Sequence, residues 1–188
     1  MGTHKSAGSV KTVETSIAFL EYLKAEDGAT MNELAAEFDY AKSTIHRHMT
    51  TLHNLEYVVK EGQTYYPSLR FLDFGEYTRN RKVGYEMAKS KVDELAEETN
   101  ERAQFLVEEH GKGTYVHRAT GSHAVKTDAG IGKWTYLHPI AAGKVILAHY
   151  PERRVEEIVE QHGLPEVTPN TTTDATTLFE ELEEIRER

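Results

Sequence analysis

Residues 30–66 read TMNELAAEFDYAKSTIHRHMTTLHNLEYVVKEGQTYY, and this stretch decides the fold. Thr30 and Glu33 match the S/T-x-x-E capping box, in which each side chain bonds a free amide of the first helical turn. Leu34 and Phe38 then fall on one face of the helix that follows. The pattern predicts a short capped helix with one apolar face.

A second helix is predicted from Ala41 to Leu55, after a turn at Asp39-Tyr40. Its apolar residues are spaced four, three and three, which makes one helical stripe. The residues of this stripe, predicted to face the core, are Ile45, Met49, Leu52 and Leu55. The opposite face is polar, and no carboxylate occurs anywhere in the helix. That absence is informative because the chain as a whole is acidic.

The polar face of this second helix carries the candidate DNA contacts. They are Lys42, Ser43, Thr44, His46, Arg47, His48 and Thr51. Hydroxyls near a helix N-terminus can donate to phosphates, and the helix dipole favours an anion there. Arg47 can bond a guanine edge in a bidentate way, a contact that discriminates against the wrong base by about 1–3 kcal/mol. For the isolated helix, the alternative interpretation is a solvated face that binds nothing.

The hairpin that follows favours DNA binding. The β-prone runs 57–60 and 63–66 are joined at Glu61-Gly62, and Pro67 ends the second strand. Lys60 and Gln63 flank the turn, where a wing would meet the DNA backbone or minor groove. Two short helices and a hairpin in this order are typical of a winged helix-turn-helix, which places one helix in a DNA groove.

An earlier helix is predicted from Val10 to Ala25, and Asp27-Gly28 breaks it. Its apolar residues recur at helical spacing. The residues predicted to face inward are Val10, Val13, Ile17, Leu20 and Leu23.

Composition narrows the class of protein. The chain has 188 residues, 38% of them hydrophobic, which is enough for one ample domain or two small ones. It has no cysteine, so disulfides and thiolate chemistry are excluded. No apolar run reaches membrane-spanning length and the N-terminus has no signal-peptide pattern, so we expect a cytoplasmic protein with no membrane partner.

The net charge of −9 argues against an undifferentiated nucleic-acid binder. Most of the negative charge lies beyond Tyr85. A protein with a locally basic reading face on an acidic body would repel DNA everywhere except at that face. The acidic composition also resembles that of proteins from salt-loving archaea. High salt weakens phosphate contacts, so base contacts and oligomeric binding would carry more of the affinity.

The chain resembles the IclR-type transcriptional regulators of bacteria and archaea. The resemblance rests on residues 9–23, on the KSTIHR run at 42–47 and on LHPIAAGKVILA at 137–148. It implies an α+β fold with an N-terminal winged helix-turn-helix at 1–68, a linker helix at 69–84 and a C-terminal GAF-like α/β effector domain at 85–188. It also implies a homodimer or tetramer that binds double-stranded DNA and a small organic effector.

The resemblance further implies an effector site near the start of the helix at 140–150. Ala141 and Ala142 match pocket positions of the family, with Thr135 and Leu137 nearby. The alternative is that the alanines are small because the helix packs tightly on the sheet. Trp134 is expected in the core or a dimer contact rather than in the pocket.

The remaining elements are read from periodicity. Helices are predicted at 85–99, 140–150, 152–162 and near the C-terminus, strands at 102–108, 114–118 and 124–127, and a threonine-rich loop at 167–173. Arg79, Arg81 and Lys82 form a basic cluster that either contacts phosphate or keeps the linker soluble. The family has further strands after the last helix, so we expect the effector domain to be incomplete.

The sequence gives little support for metal binding, phosphate-loop chemistry or catalysis. His46 and His48 are two residues apart and do not face each other on a helix, and His117, His123 and His138 show no ligand spacing. No nucleophile elbow or phosphate-binding loop occurs. We therefore expect no metal, no cofactor and no catalysis. The predicted function is a sequence-specific, effector-responsive transcriptional regulator on a pseudo-palindromic operator. The alternative is a protein-interaction module that uses the helix-turn-helix as a scaffold.

Overall fold

A computed structural model describes residues 8–123 and 130–187 of the chain. The chain forms two compact units that divide between Thr78 and Arg79. The strand predicted at 124–127 lies outside the described residues. Helices and sheets are mixed within both units, so the predicted α+β class is confirmed.

The described part of the first unit contains four helices and a small sheet, and the fourth helix extends just past the division. In chain order they are α1 (Lys11–Ala25), β1 (Ala29–Thr30), α2 (Met31–Glu37), α3 (Lys42–Asn54), β2 (Val58–Glu61), β3 (Thr64–Pro67) and α4 (Arg70–Asn80). The antiparallel strands lie in the order β1-β3-β2. The winged helix-turn-helix arrangement is confirmed. Strand β1 was not predicted, because two residues are too few to show a period.

Apolar side chains from all three N-terminal helices and from strands β1 and β2 form the core of this unit. The buried residues are Phe19, Leu23, Ala29, Leu34, Ile45, Met49, Leu52 and Val58. Three of the four residues predicted for the α3 stripe are among them. Leu55 is the exception: it caps the C-terminus of α3 and is exposed.

The inward face predicted for α1 was right at Leu23, which is buried, and at Leu20, which packs against the core, but wrong at Val10, Val13 and Ile17, which are exposed. Thr15 and Phe19 are buried instead. Phe19 decides the orientation, because its ring is surrounded by the rings of Phe38, Tyr40 and His48. Burying the Thr15 hydroxyl carries little cost, since it lies 3.0 Å from the Tyr40 hydroxyl and forms a hydrogen bond with it.

The chain turns after α3 at Glu56, a non-glycine residue with a φ of 65°. This left-handed conformation is unfavourable for most side chains, and contacts from the next segment hold it. The Ser68 hydroxyl donates to the Glu56 carbonyl at 2.5 Å, and Arg70 Nη1 lies 3.1 Å from the Glu56 carboxylate. The start of α4 thus holds the turn between α3 and the wing.

In the residues that the structure describes, the second unit places helices on both faces of a sheet with three antiparallel strands. Its elements are α5 (Val83–Thr99), β4 (Arg102–Glu109), β5 (Lys112–Thr120), β6 (Trp134–Thr135), α6 (Ala141–Ala148), α7 (Glu152–His162) and α8 (Ala175–Arg186). The strand order is β4-β5-β6. Side chains alternate along β4, so Ala103 packs on α5 whereas Leu106 packs with α6, α7 and α8.

The region predicted as one linker helix at 69–84 contains a break. Helix α4 ends at Asn80 and α5 begins at Val83. The division between the two compact units falls inside α4. In α5, Val92 and Ala96 are buried, whereas Met87 and Leu95 are exposed.

Candidate nucleic-acid interface and effector region

Helix α3, which carries most of the candidate DNA contacts, is positioned by the capped helix α2 that precedes it. Glu33 N–H donates to the Thr30 hydroxyl at 3.3 Å, and Thr30 N–H donates to the Glu33 carboxylate at 2.7 Å, so the predicted capping box is present. Hydrogen bonds from the Thr30 backbone and hydroxyl lower the pKa of Glu33. The box determines where α2 begins, and Leu34 then anchors α2 in the core.

Helix α3 buries one stripe and presents the other to solvent. Five of the seven DNA contacts predicted on α3 have exposed side chains: Lys42, Ser43, His46, Arg47 and Thr51. Thr44 is half-buried. These side chains lie on a carboxylate-free helix, which makes the exposed face of α3 locally basic on an acidic protein.

The exposed face has few internal hydrogen bonds. The Thr51 hydroxyl donates to the Arg47 carbonyl at 2.8 Å, one turn earlier on the same helix. His46 Nδ1 lies 3.3 Å from the hydroxyl of Thr50, an exposed residue that was not predicted as a contact. Its spacing of four from His46 could have revealed it. Lys42 Nζ lies 3.5 Å from Asn32 Oδ1 on α2.

His48 was predicted as a DNA contact, and the structure places it elsewhere. Its Nδ1 lies 2.8 Å from the Ser16 hydroxyl of α1, and its ring centroid is 5.5 Å from that of Phe19. At position 48 the helix faces α1 rather than solvent, one position from the buried Met49. His48 therefore joins α3 to α1, and we remove it from the set of candidate contacts.

The wing has a two-residue turn at its tip. Glu61 pairs with Thr64, so Gly62 and Gln63 form the turn, and Gly62 has a φ of 60°. Two-residue hairpins need positive φ, which glycine adopts without strain. Gln63 is exposed at the tip, whereas Lys60 lies with its Nζ 5.3 Å from the Tyr65 ring centroid. Both predicted wing residues are therefore on the surface.

The four predicted effector residues do not share one environment. Leu137 is buried in the core of the second unit and lines a small cavity between α7 and α8. Ala141 and Ala142 are exposed at the start of α6, and the half-buried Thr135 donates its hydroxyl to the Tyr136 carbonyl. The cavity that Leu137 lines does not contain the other three. The effector site at these four residues therefore stays a prediction.

Helix α6 approaches the preceding segment very closely. A Cβ at Gly143 would lie 2.1 Å from the Leu137 carbonyl oxygen. Only glycine permits this approach. Tight packing of α6 was the alternative explanation for its small residues, and at Gly143 the geometry supports it. Trp134 is 70% exposed and is not a core residue; Lys112 Nζ lies 5.1 Å from its ring.

A half-buried carboxylate joins three segments of the second unit. Glu108 accepts hydrogen bonds from Gly111 N–H at 2.6 Å, from the Tyr150 hydroxyl at 2.9 Å and from Arg154 at 3.0 Å. Burial alone would raise the pKa of Glu108, but these hydrogen bonds and the Arg154 charge outweigh it and lower the pKa. The cluster ties β4 to α7 and has the character of a structural support.

Two histidines considered as metal ligands, His117 and His138, have partners within the second unit. His117 Nε2 lies 2.9 Å from the Asp93 carboxylate, and buried His138 lies 3.1 Å from the Pro165 carbonyl. Burial lowers the pKa of His138, so it is neutral at pH 7. Within residues 8–123 and 130–187, no group of three or more histidine, aspartate or glutamate side chains is arranged to hold a metal ion.

Comparison with known proteins accounts for both units. The sequence profile described as "Bacterial transcriptional regulator IclR C-terminal" matches residues 76–188, which is more than half of the chain. The profile described as "IclR helix-turn-helix domain" matches residues 12–62. The chain belongs to the IclR family of transcriptional regulators. In this family, the N-terminal helix-turn-helix binds DNA and the C-terminal domain binds an effector.

Relatives of the IclR family agree along most of the chain. The "Probable HTH-type transcriptional regulator ArcR" of Halobacterium salinarum is 30% identical over 185 residues, which cover 95% of this chain and 70% of that protein. The crystal structure of the Thermotoga maritima IclR has a TM-score of 0.71 at 24% identity and covers 95% of this chain and 73% of that one.

A second solved structure is an IclR homolog from Microbacterium hydrocarbonoxydans complexed with 4-hydroxybenzoate. It has a TM-score of 0.63 at 22% identity, with 85% of this chain and 67% of that one covered. At this identity the likeness concerns the fold. Across the described part of this IclR-family chain, every helix is too short or too polar to cross a bilayer.

Proposed function

We propose that this IclR-family chain binds a pseudo-palindromic site in double-stranded DNA as a dimer, with α3 in the major groove and the wing on the adjacent backbone. The observation that carries the proposal is the exposed, carboxylate-free face of α3 on an acidic protein. One such helix reads only a few base pairs, so two half-sites are needed for useful specificity. Binding takes place in the cytoplasm, where the DNA is.

The proposed contacts divide by chemistry. Arg47 reads a base edge, and His46 and Thr51 contact bases or backbone beside it. Lys42, Ser43 and Thr44 at the start of α3 bind phosphate, supported by the helix dipole. On the wing, Lys60 and Gln63 contact the DNA backbone or minor groove.

The proposed effector is a small organic acid. Its binding shifts the relative placement of the two α3 helices of the dimer. Exposed Ala141 and Ala142 lie in the first turn of α6, where free amides suit a carboxylate and small side chains allow close approach. Thr135 is proposed as a further contact with the effector. Leu137, which is buried in the core, is proposed to support the site from its inner side. The 4-hydroxybenzoate bound by a relative of the same fold supports an aromatic carboxylate as the first compound to test.

DNA binding across a salt series tests the first proposal. DNA fragments from upstream of the chain's own gene are compared with random DNA of equal length, each from low to high salt. Selective binding with a linear fall of log affinity against log salt concentration is the expected result. Equal affinity for both DNAs at every salt concentration would refute sequence-specific reading. The chemistry proposed for this chain is binding, with no catalytic step.

Thermal denaturation with 4-hydroxybenzoate and related carboxylates tests the second proposal. A ligand that binds only the folded chain raises the melting temperature with ligand concentration. Ala142→Leu, which would fill the space beside the α6 amides, should remove that shift while leaving the unliganded melting temperature nearly unchanged, because Ala142 is exposed. A shift that Ala142→Leu does not alter would place the effector elsewhere.

A further inference from the structure

The C-terminus of α3 has an unusual residue in its left-handed position. Tyr57 N–H donates to the Leu52 carbonyl at 2.9 Å. Glu56 N–H donates to the His53 carbonyl, also at 2.9 Å, and the two bonds together form a Schellman motif. Glycine normally occupies the left-handed position of this motif, because a Cβ is strained there. Here Glu56 occupies it with a φ of 65°, so the turn depends on contacts from outside.

Ser68 supplies hydrogen bonds to this turn. Its hydroxyl donates to the Glu56 carbonyl at 2.5 Å and accepts a hydrogen bond from Arg70 N–H at 3.2 Å. The Ser68 N–H donates to the Tyr57 carbonyl at 3.0 Å. This one residue therefore connects the backbone of the turn after α3 to the first turn of α4.

Arg70 holds the side chains of the same turn. Its Nη1 lies 3.1 Å from the Glu56 carboxylate, and its guanidinium carbon lies 5.0 Å from the centroid of the Tyr57 ring. That ring also packs against Phe71 and Phe74 of α4, at centroid distances of 5.4 and 6.0 Å. All of these residues belong to the first compact unit.

The ion pair between Arg70 and Glu56 is too exposed to contribute much to the stability of the fold. The two side chains are 46% and 80% exposed, and such pairs change an equilibrium by only about 1.5- to 5-fold. The location of the pair is more informative. Only residues 55–57 join α3 to β2, so the conformation of Glu56 determines the direction in which the wing leaves α3.

We propose that Arg70 and Ser68 are positioning residues for DNA binding. They hold Glu56 in the left-handed conformation and so keep β2 of the wing where the wing and α3 contact DNA together. Pairing with β1 holds the other strand of the wing, β3. The proposal rests on the function proposed above, and it extends the DNA-reading unit into the first turn of α4.

A glycine replacement distinguishes positioning from a direct contact between Arg70 and phosphate. Arg70→Gln should weaken binding to a DNA fragment from upstream of the chain's own gene by about 2- to 25-fold, because the factor of the ion pair applies once in each of two bound copies. Adding Glu56→Gly should restore the affinity, since glycine adopts this conformation without strain and no longer needs the arginine. Glycine could not replace an arginine that bound phosphate.

Three controls accompany the affinity measurement. Glu56→Gln combined with Arg70→Gln has the same charge as the glycine double variant but retains a Cβ, so it should not recover the affinity. Arg153→Gln removes an exposed arginine that is paired with Glu157 in the second unit, and it should leave the affinity unchanged. Urea denaturation of Arg70→Gln should show nearly unchanged stability, as a loss of fold would not.

A second measurement observes the wing without DNA. The chain has no cysteine, so Thr50→Cys on α3 and Gln63→Cys at the wing tip, both at exposed positions, provide the two sites for spin labels. Pulsed electron paramagnetic resonance then gives the distribution of the distance between the labels. Arg70→Gln and Ser68→Ala should each broaden this distribution. Adding Glu56→Gly to Arg70→Gln should narrow it again.

A distance distribution that Arg70→Gln leaves unchanged would overturn the positioning role, whether or not the affinity for DNA falls. A loss of affinity that Glu56→Gly does not reverse, or that Glu56→Gln reverses equally, would also overturn it. So would a broadened distribution with unchanged affinity for a selectively bound fragment. The spin-label experiment uses no DNA. A chain that binds no DNA selectively therefore refutes the function proposed above, and the label distances still decide whether Arg70 and Ser68 hold the wing.

Discussion

Arg47 and His48 are adjacent on α3 but are predicted to have different roles. Replacing each with alanine distinguishes these roles. Arg47 is exposed, and within the described residues its side chain makes no hydrogen bond or ion pair. His48 is hydrogen-bonded to Ser16 and packs on Phe19. We therefore expect Arg47→Ala to affect DNA recognition and His48→Ala to affect the stability of the fold.

The size of each effect follows from these contacts. Losing a bidentate base contact at Arg47 costs about 1–3 kcal/mol, which weakens binding to the specific site about 5- to 150-fold. Arg47→Ala should change the free energy of unfolding by less than about 0.5 kcal/mol. His48→Ala removes a hydrogen bond worth about 0.5–1.5 kcal/mol and a ring contact of about the same size, so it should destabilise the fold by about 1–3 kcal/mol.

Two measurements distinguish the variants. Urea denaturation gives the free energy of unfolding, and fluorescence anisotropy gives the affinity for a specific site and for random DNA at fixed salt. Arg47→Ala should lower the ratio of specific to non-specific affinity at unchanged stability. His48→Ala should lower stability and leave that ratio nearly unchanged under conditions where the variant is folded.

Two results would refute this reasoning. If Arg47→Ala weakened binding to specific and random DNA equally, Arg47 would contact phosphate only. If His48→Ala lowered the specificity ratio as much as Arg47→Ala, without loss of stability, the imidazole would face DNA and the assignment of His48 to the α1–α3 contact would be wrong.

Three further predictions concern stability and use the same urea assay. Thr30→Ala removes the capping box of α2 and should cost about 1 kcal/mol; an unchanged midpoint would contradict the role of the cap. Gly143→Ala should destabilise the chain by about 1–3 kcal/mol, because its Cβ would meet the Leu137 carbonyl, whereas Gly84→Ala in open space on α5 should stabilise it by up to about 1 kcal/mol. The folded state lowers the pKa of Glu108, so its stabilising contribution is present at neutral pH and is lost as the pH falls through the folded-state pKa. The deficit of Glu108→Gln relative to the parent chain should accordingly shrink in acid, and a deficit independent of pH would exclude this linkage.

Local signals predicted the winged domain well. The capping box at Thr30 and Glu33 and the buried stripe of Ile45, Met49 and Leu52 lie where the sequence placed them. The hairpin is present, but its turn is at Gly62-Gln63, one residue later than the predicted Glu61-Gly62. Each of these signals depends on residues only a few positions apart in the chain. Such local interactions can be predicted without knowing how distant segments pack.

The sequence was a weaker guide to which face of a helix is buried and to which distant residues a side chain contacts. Helix α1 has two apolar faces, and periodicity alone favoured Val10, Val13 and Ile17 over the face that contains Phe19. The choice depended on the rings of Phe38, Tyr40 and His48, which come from other elements. The same contacts removed His48 from the reading face, although its position on the polar side of α3 gave no sign of it.

The sequence by itself determined the element types, the winged helix-turn-helix and the carboxylate-free reading face, because these depend on local propensity, capping and periodicity. Only the tertiary structure decided which face of α1 is buried and that His48 packs against α1. Packing is decided by the volumes and hydrogen-bonding groups that distant segments bring together. A residue's neighbours along the chain do not contain that information.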